Sequence, residues 1–349
     1  MTTRELTVLG FETSCDETAA AIIRRGTDGR GTVLANQLLS QISEHRHYGG
    51  VVPEIAARAH IRHLHGLAAA ALGEAGLTFA GLDGIAATAG PGLAGGLIVG
   101  LMTAKGIALA TGLPLVAVNH LEAHLLTPGL TEGLRPPYLV LLVSGGHTQT
   151  LGVAAIGHYR RYGTTLDDAL GEAFDKTAKL LGLPYPGGPA VERRAADGDA
   201  RRFAFPRPLI GRDDCHFSFS GLKTAVRHAV ESLGTLSDRD IADIAASFQA
   251  AVTETLTDRL GRAMDRFLAD FQPARPVLVA AGGVAANQVL RQSIGALCAA
   301  RGFHLSAPPP ELCTDNAAMV AGAAAWVIRR GDLAGWEADI HPRLPIIGA

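Results

Sequence analysis

Two stretches of this chain share one pattern, which restricts the fold more than any other feature of the sequence. LTVLGFETSCDETAAAII (6–23) consists of an apolar run, a short polar turn and a second apolar run, and YLVLLVSGGHTQTLGVAAI (138–156) repeats this plan. Each stretch predicts a β-hairpin with Ser, Thr or Gly at its tip. The repeat favours two lobes that each open with the same hairpin. Coincidence is the alternative, because many hairpins share such a pattern.

Strands and helices alternate after each hairpin. Residues 53–75 predict a helix with an apolar stripe, and the apolar segments 82–90 and 113–119 predict buried strands. Later, 240–271 predicts a long helical region and 314–331 a final helix rich in small residues. This alternation in two halves predicts an α/β architecture with a cleft between two lobes.

The length of the chain suits two lobes better than one core, since it comprises 349 residues. The Pro-rich RPPY (135–138) suits a hinge between them. We therefore expect an N-terminal lobe of residues 1–133, completed by 314–349, and a C-terminal lobe of residues 134–313.

Composition and charge exclude several classes of protein. Hydrophobic residues make up 48% of the chain and charged residues 18%, so the chain folds rather than staying disordered. A net charge of −2 argues against a generally basic nucleic-acid binder, although it allows a local basic patch. The cysteines are scattered without a C-x-x-C pair, which indicates a reducing compartment and excludes a cysteine-only zinc site.

The segment most like a membrane span is GIAATAGPGLAGGLIVGLMTA (84–104). It is uncharged, but it is rich in Gly and Ala and interrupted by Pro91, which favours a buried strand, turn and helix. The N-terminal residues contain neither an apolar signal core nor an arginine-rich transit helix. We therefore expect a soluble, cytoplasmic protein that does not contact a membrane.

The segment VNHLEAHLL (118–126) places two histidines on one helical face. His120 and His124 lie one turn apart, and Asn119 precedes them as a helix cap. Asp315, at the mouth of the final helix, offers a third ligand. Two histidines and one carboxylate suit iron or zinc and leave positions open for a substrate oxygen. Surface or capping histidines are the alternative, and H-x-E-x-H differs from the H-E-x-x-H of zinc proteases.

Polar residues at the two hairpin tips are candidates for ligand contact. In LVSGGHT, the backbone donors of Ser144, Gly145 and Gly146 suit an anion. ETSCDET would face this tip from the other lobe, carrying Asp16 and Glu17. Acids beside phosphates usually hold a metal or orient a nucleophile, since bare carboxylates repel the anion. A pair of polar tips in solvent is the alternative.

Two glycine motifs have different interpretations. GPGLAG (90–95) matches a dinucleotide-binding pattern, but no Asp or Glu occurs between Gly84 and Leu121 to bind a ribose. These glycines therefore indicate close packing of a helix on a strand. VAAGGVAAN (279–287) ends a strand in two glycines and enters a helix, so its N–H groups and Asn287 suit a phosphate or nucleoside. An ordinary turn between strand and helix is the alternative.

The stretch 192–228 is locally basic and contains several phenylalanines. Its arginines would contact a phosphate backbone and its rings would stack on bases if RNA bound there. The alternative is a solvated loop that its phenylalanines anchor to the lobe. The residues concerned are Arg193, Arg194, Arg201, Arg202, Arg207 and Arg212 with Phe203, Phe205, Phe217 and Phe219.

A series of motifs occurs in order over nearly the whole chain: GFETSCDET, GGVVPEIAARAH, TAGPGLAGGLIVG, NHLEAHLL, LLVSGGHTQ, GEAFDKTAKLLGLPYPGGP, FSFSGLKTA, AAGGVAAN and CTDNAAM. The ordered set resembles the tRNA N6-adenosine threonylcarbamoyltransferase family (TsaD/YgjD), once described as O-sialoglycoprotein endopeptidases. The resemblance implies the two-lobed actin-like ATPase fold, with an interlobe cleft, of actin, sugar kinases and the large heat-shock chaperones. It also implies one divalent metal ion per subunit, iron before zinc, at His120, His124 and Asp315.

The resemblance further implies a reaction. A threonylcarbamoyl group passes from threonylcarbamoyl-adenylate to N6 of the adenosine 3′ of the anticodon in tRNA, and AMP leaves. Asp16 or Glu17 is the candidate for orienting or deprotonating the amine. The implied protein partners are a related scaffold, TsaB, and a small ATPase, TsaE, if the chain is bacterial. The implied substrate-contacting residues are Leu142, Val143, Ser144, Gly145, Gly146, Asp175, Gly188 and Asn287.

Three other functions compete with this one. A metal-dependent glycoprotein endopeptidase needs a base beside the metal and no nucleotide pocket. An actin-like kinase phosphorylates a small molecule and does not need His120. A non-catalytic scaffold of the same fold is the third, although scaffold paralogues in the family lack the histidine pair.

Overall fold

The computed structural model describes residues 4–48, 50–282, 287–306, 308–331, 333 and 335–346. Contacts divide the chain into two compact units, with strands and helices numbered along the chain. Unit 1 comprises Met1–Arg135 and Thr314–Ile347, and unit 2 comprises Pro136–Cys313. The boundary at Arg135 falls in the RPPY motif.

Unit 1 is built on a five-stranded sheet with the order β3-β2-β1-β4-β5. Strands β1, β4 and β5 are parallel, and β2 and β3 continue the sheet in antiparallel pairs. The element bounds are β1 Leu6–Glu12, β2 Glu17–Arg25, β3 Gly31–Ser40, α1 Ile42–His45, α2 Pro53–Glu74, β4 Gly84–Gly90, α3 Ala94–Thr111, β5 Leu115–Asn119, α4 His120–Thr131 and α11 Ala317–Arg330.

Unit 2 repeats this plan with a sheet in the order β10-β9-β6-β7-β8. Strands β6, β9 and β10 are parallel, and β7 and β8 form antiparallel pairs. The element bounds are β6 Tyr138–Val143, β7 Thr148–Ala155, β8 His158–Thr164, α5 Leu170–Leu180, α6 Gly187–Ala195, α7 Ser220–Leu233, α8 Asp238–Phe271, β9 Val277–Ala281, α9 Gln288–Arg301, β10 His304–Ser306 and α10 Pro310–Cys313.

The two predicted hairpins are confirmed, since β1 pairs with β2 and β6 pairs with β7. Strands β3 and β8 extend each hairpin by one strand, and the sequence did not predict them. Strand β8 reads HYRRYGT and lies at the edge of its sheet. Charged side chains suit an edge strand because they oppose pairing with other chains, but they also mask the apolar alternation that predicts a strand.

Small residues let α11 lie directly on the central strand of unit 1. A Cβ atom at Gly10 of β1 would lie 2.7 Å from the carbonyl oxygen of Ala317 and 2.7 Å from the nitrogen of Ala321. The residues of α11 from Ala317 to Ala325 are all buried. This close approach places Asp315, two residues before α11, beside the unit 1 sheet.

Among the described residues, one helix, α3, has the length and hydropathy of a membrane span. One face of α3 packs on the β1–β2 hairpin: a Cβ atom at Gly96 would lie 2.2 Å from the carbonyl oxygen of Thr13. At Gly92, just before α3, a Cβ atom would lie 2.6 Å from the carbonyl oxygen of Ser14. The prediction that GPGLAG serves close packing is confirmed.

Candidate functional site

Three parallel strands of unit 1 end at one edge of its sheet. Strand β1 ends at Glu12, β4 at Gly90 and β5 at Asn119, and α4 begins at the next residue, His120. Because the carboxyl ends of parallel strands lie together, distant parts of the sequence meet here. The Nδ1 atom of His120 lies 3.0 Å from the Oε2 atom of Glu12.

Asn119 caps α4, as predicted. Its side-chain oxygen accepts hydrogen bonds from the backbone N–H groups of Leu121 at 2.9 Å and Glu122 at 3.3 Å. Its side-chain nitrogen donates to the carbonyl oxygen of Pro345 at 3.0 Å. The C-terminal segment therefore supports the cap, and the cap fixes the turn that carries the two histidines.

The structure brings His120, His124 and Asp315 together, and their ligand atoms lie within 4.8 Å of one another. The Oδ1 atom of Asp315 is 3.1 Å from Nε2 of His124 and 3.5 Å from Nε2 of His120. Both histidines are buried, whereas Asp315 is partly exposed. Two buried imidazoles and a carboxylate with an exposed edge form a group with access for a ligand.

Glu12 belongs to this group, and the sequence analysis did not identify it. Its carboxylate is fully buried and accepts hydrogen bonds from the Ser14 N–H at 2.6 Å and the Thr88 hydroxyl at 2.6 Å, in addition to His120. A carboxylate bonded to one imidazole nitrogen fixes the ring and its tautomer, as at many metal sites. The available signal was an acid at the end of an apolar strand.

The charges around the histidines favour a cation. Burial alone would lower the pKa of His120, but Asp315 and Glu12 raise it to about 9. Burial would raise the pKa of Glu12, but the positive charge of His120 lowers it. Partial burial and the nearby carboxylates of Asp315 and Asp16 raise the pKa of Glu17 to about 9.

The donor set fits a divalent metal ion. It combines two imidazoles and a carboxylate, the ligand types of zinc and non-haem iron sites. The Nδ1 atom of His124 is buried without a hydrogen-bond partner among the described residues. A bound dication would take the place of the proton on His120 and would offset the charge of the surrounding carboxylates more fully than that proton does.

Asp16 and Glu17 lie at the tip of the unit 1 hairpin, next to this group. Asp16 is buried, with 8% of its surface exposed, and Glu17 is half-buried. At its pKa of about 9, the Glu17 carboxyl holds its proton at neutral pH and acts as a hydrogen-bond donor. A cation at His120 and His124 would lower that pKa again.

The hairpin tip of unit 2, residues 144–147, is organised differently. The Ser144 N–H donates to the His147 carbonyl at 2.8 Å, and the His147 N–H donates to the Ser144 hydroxyl at 3.1 Å. Gly145 and Gly146 are exposed, and their N–H groups have no partner among the described residues. Two neighbouring free donors are the arrangement that the anion-binding prediction requires.

Glycines near this tip fall into two classes. A Cβ atom would meet backbone at Gly171, where it would lie 2.7 Å from the Ser144 carbonyl oxygen, and at Gly282, 2.2 Å from the Val143 carbonyl oxygen. At Gly145, Gly146 and Gly188 a Cβ atom would meet no atom within 4 Å. Close packing therefore accounts for the glycines at 171 and 282. It does not account for Gly145, Gly146 and Gly188, where the backbone is accessible to a ligand.

Leu142 and Val143 are buried at the end of β6, so their side chains belong to the core. Asp175 in α5 accepts a hydrogen bond from the Gly187 N–H at 2.7 Å. Burial raises the pKa of Asp175 above its usual value. The link fixes the start of α6, next to Gly188.

Asn287 caps α9 and accepts a hydrogen bond from the Leu290 N–H at 3.0 Å. Its side-chain nitrogen donates to the Oε1 atom of Gln249 at 3.0 Å, which leaves one N–H for a ligand. Gln249 was not identified from the sequence, because its partner lies 38 residues away. Residues 283–286 of the preceding glycine motif lie outside the described residues.

The basic stretch 192–228 has a structural role in unit 2. Arg202 forms ion pairs with Asp240 at 2.5 Å and Asp243 at 2.9 Å, and Arg207 pairs with Glu254 at 2.8 Å. The rings of Phe205, Phe217 and Phe219 are buried in the core and do not face bases in solvent. The alternative of a loop anchored by phenylalanines is therefore the one that the structure favours.

Comparison with solved structures shows the fold. HypF from T. kodakarensis matches with a TM-score of 0.60 at 16% identity, over 94% of this chain and 48% of that chain. ROK hexokinase from Thermus thermophilus matches with a TM-score of 0.51 at 17% identity, over 93% of this chain and 100% of that chain. Both are proteins of the actin-like ATPase fold, and this prediction is confirmed.

Comparison with protein families identifies the relatives. Residues 32–322 match the family model described as TsaD, tRNA N6-adenosine threonylcarbamoyltransferase. A protein of that name from Rhizobium meliloti is 61% identical over 341 residues, which cover 97% of this chain and 95% of that protein. Another from Brucella anthropi is 63% identical over 319 residues, which cover 91% and 89%. The chain therefore belongs to the tRNA N6-adenosine threonylcarbamoyltransferase family.

Proposed function

We propose that this chain transfers a threonylcarbamoyl group from threonylcarbamoyl-adenylate to N6 of the adenosine 3′ of the anticodon in tRNA, releasing AMP. The main support is the identity of over 60% with transferases of that name across nearly the full length of both chains. Each unit supplies part of the necessary chemistry: unit 1 has a candidate cation-binding group, and unit 2 has free backbone donors at Gly145 and Gly146.

The adenylate is assigned to unit 2. The N–H groups of Gly145 and Gly146 would bind its phosphate, and the space above Gly188 leaves room for the nucleoside. The free N–H of Asn287 and the Asp175 carboxyl supply the polar contacts. Donors fixed before the reaction stabilise the negative charge that grows on the phosphate as AMP leaves.

His120, His124 and Asp315 would hold the divalent ion, which is iron before zinc, and Glu12 orients His120. The ion supplies Lewis-acid polarisation of a donor oxygen when bound. The aromatic amine of adenosine is a weak nucleophile, so its positioning supplies much of the acceleration. We assign that positioning to Asp16 and Glu17.

The transfer from the adenylate to the amine needs no further reactant. The N6 nitrogen attacks the carbamoyl carbon, a C–N bond forms, and the bond from that carbon to the phosphate oxygen breaks. The amine loses one proton, which Asp16 accepts, or Glu17 once a bound cation has lowered its pKa, and AMP leaves with the electron pair of the broken bond. A pre-positioned acid–base group contributes about 10²–10⁴-fold to such a step.

The relatives do not favour the competing functions. An endopeptidase with a catalytic base beside its metal would use H-E-x-x-H, whereas the chain has H-x-E-x-H. A kinase or a scaffold has no use for a buried pair of histidines oriented by Glu12.

We also propose protein partners, a TsaB-type scaffold and a small ATPase of the TsaE type, acting in the cytoplasm where the tRNA is. The surface that suits the scaffold is an apolar groove between α2 and α3, here called the α2–α3 groove. Ile61, Ile98 and Met102 line it and are 63%, 49% and 45% exposed. Exposed aliphatic side chains on adjacent helices suit a helical partner.

The transfer reaction itself is the first test. Purified protein is incubated with unmodified tRNA, threonine, bicarbonate, ATP, the donor-making enzyme and both partners, and the nucleosides are then analysed. We expect threonylcarbamoyladenosine only when this chain is present. Cleavage of a glycoprotein without tRNA, together with unmodified nucleosides, would instead establish the endopeptidase.

Gly145→Val tests the unit 2 tip. The added side chain has open space, so the fold should survive, but it would occupy the position of the phosphate. We expect donor affinity to fall by at least about tenfold, equivalent to about 1.4 kcal/mol, as measured by calorimetry with a non-hydrolysable adenylate. Gly66→Val, at an open glycine in α2, is the control. Equal affinity in both variants would show that the tip does not bind the donor.

Glu12→Gln tests the orientation of His120. Loss of the buried negative charge should weaken metal binding by about 10–100-fold, as for other carboxylates bonded to ligand histidines. His124→Ala should abolish tight binding, and exposed Glu54→Gln should not change it. Zinc competition with a chromophoric chelator measures each affinity without an activity assay. Full metal occupancy in His124→Ala would remove this residue from the site.

Met102→Glu tests the α2–α3 groove. A charge in an apolar interface is left unpaired and desolvated when the partner binds, so co-elution with the scaffold should be lost. Leu38→Glu in β3, 44% exposed outside the groove, should leave co-elution intact. Retained co-elution by Met102→Glu would place the partner elsewhere.

A further inference from the structure

In the unit 1 tip, the backbone carbonyls of residues 14–16 each accept a hydrogen bond from a residue elsewhere in unit 1. The Leu93 N–H donates to the Ser14 carbonyl at 2.7 Å, and the Gln41 N–H donates to the Asp16 carbonyl at 3.0 Å. Between them, Nε2 of His60 lies 3.1 Å from the Cys15 carbonyl oxygen. His60 is the only side chain in this set, so it can be replaced without a change of backbone.

His60 is fully buried in α2, within the motif GGVVPEIAARAH, to which the proposed reaction assigns no role. Its Nδ1 atom lies 2.8 Å from the Thr18 hydroxyl and 3.3 Å from the side-chain nitrogen of Gln41. A carbonyl requires a donor, so Nε2 carries the hydrogen and Nδ1 accepts. Burial also lowers the pKa of His60, in agreement with a neutral ring.

Helix α3 lies close to the ring and restricts its position. A Cβ atom at Gly96 of α3 would lie 3.2 Å from Nε2 of His60, so the helix approaches the ring closely. The Thr13 hydroxyl donates to the Gly96 carbonyl at 2.8 Å and joins the same helix to the tip. His60 thus lies between α3 and the tip and bonds both Cys15 and Thr18.

We propose that His60 is a positioning residue for the transfer reaction, which holds Asp16 and Glu17 in place through the Cys15 carbonyl and the Thr18 hydroxyl. The expected effect of His60 on kcat rests on the proposed function. The expected effect of His60 on the mobility of the unit 1 tip does not depend on that function. Among the described residues, the His60 ring has its polar contacts with Cys15, Thr18 and Gln41 and none with His120 or His124, so metal and donor binding should not require it.

The chemistry of the ring supplies a matched set of variants. A Gln side chain can bring its amide N–H near the position of Nε2, whereas Asn is too short to reach the Cys15 carbonyl. Leu fills similar space without a donor. His63→Gln in the same helix is the control for a histidine replaced elsewhere in α2.

Steady-state transfer and zinc titration are measured for each variant. We expect His60→Leu and His60→Asn to lower kcat by about 10–100-fold, the scale of a small misplacement of a reacting group. KM for the adenylate and zinc affinity should stay at the wild-type values, and His60→Gln should recover most of kcat. Equal losses in His60→Gln and His60→Leu, or a parallel loss of zinc affinity, would overturn the proposal in favour of a packing role.

Hydrogen exchange at the tip separates this proposal from the proposed function. Amide protons of residues 14–18 should exchange faster in His60→Leu than in His60→Gln, even if the wild-type chain shows no transfer. An inactive wild-type chain would contradict the function alone. Identical exchange in the two variants would contradict the positioning role, and Thr18→Val, a smaller change, repeats the test if His60→Leu does not fold.

Discussion

One buried carboxylate joins the ends of three elements in unit 1. Glu12 terminates β1, and its Oε1 atom accepts from the Ser14 N–H in the hairpin tip at 2.6 Å. Its Oε2 atom accepts from the Thr88 hydroxyl of β4 at 2.6 Å and lies 3.0 Å from Nδ1 of His120 in α4. A buried charge is tolerated only with such partners, since its desolvation costs several kcal/mol, on the order of the total stability of a domain. The position of the histidine pair therefore depends on the position of this strand end.

Local patterns in the sequence were sufficient for much of the fold and part of the site. Apolar runs on either side of a polar turn predicted the hairpins, and an apolar stripe predicted α2. Asn119 marked the start of α4 because a cap requires only its own first turn. His120 and His124 were recognisable from helical spacing. Asp315 became a candidate because it precedes the last helix, and α11 packs on β1 through Gly10.

The features that the sequence did not predict depend on partners far along the chain. Glu12 and His120 are 108 residues apart, and nothing near Glu12 identifies its partner. Arg202 and Arg207 suggested RNA because their acidic partners lie in α8, far along the chain, with Arg207 and Glu254 separated by 47 residues. Their phenylalanines looked available for stacking because burial cannot be inferred from a loop without periodicity.

The two hairpins have one plan but tips of opposite chemistry. In unit 1 the tip carbonyls already accept hydrogen bonds, so the carboxylates determine its chemistry. Acidic side chains gather there and raise the pKa values of His120 and Glu17 to about 9, which favours a cation. In unit 2 the tip contains glycines with unbonded N–H groups and open space, which favour an anion. Acyl transfer from a mixed anhydride with a phosphate needs both, because one oxygen must be polarised while the leaving phosphate gains charge. Under the proposed function, the repeated hairpin would supply two different binding functions through the residues between its strands, without a change in the strands themselves.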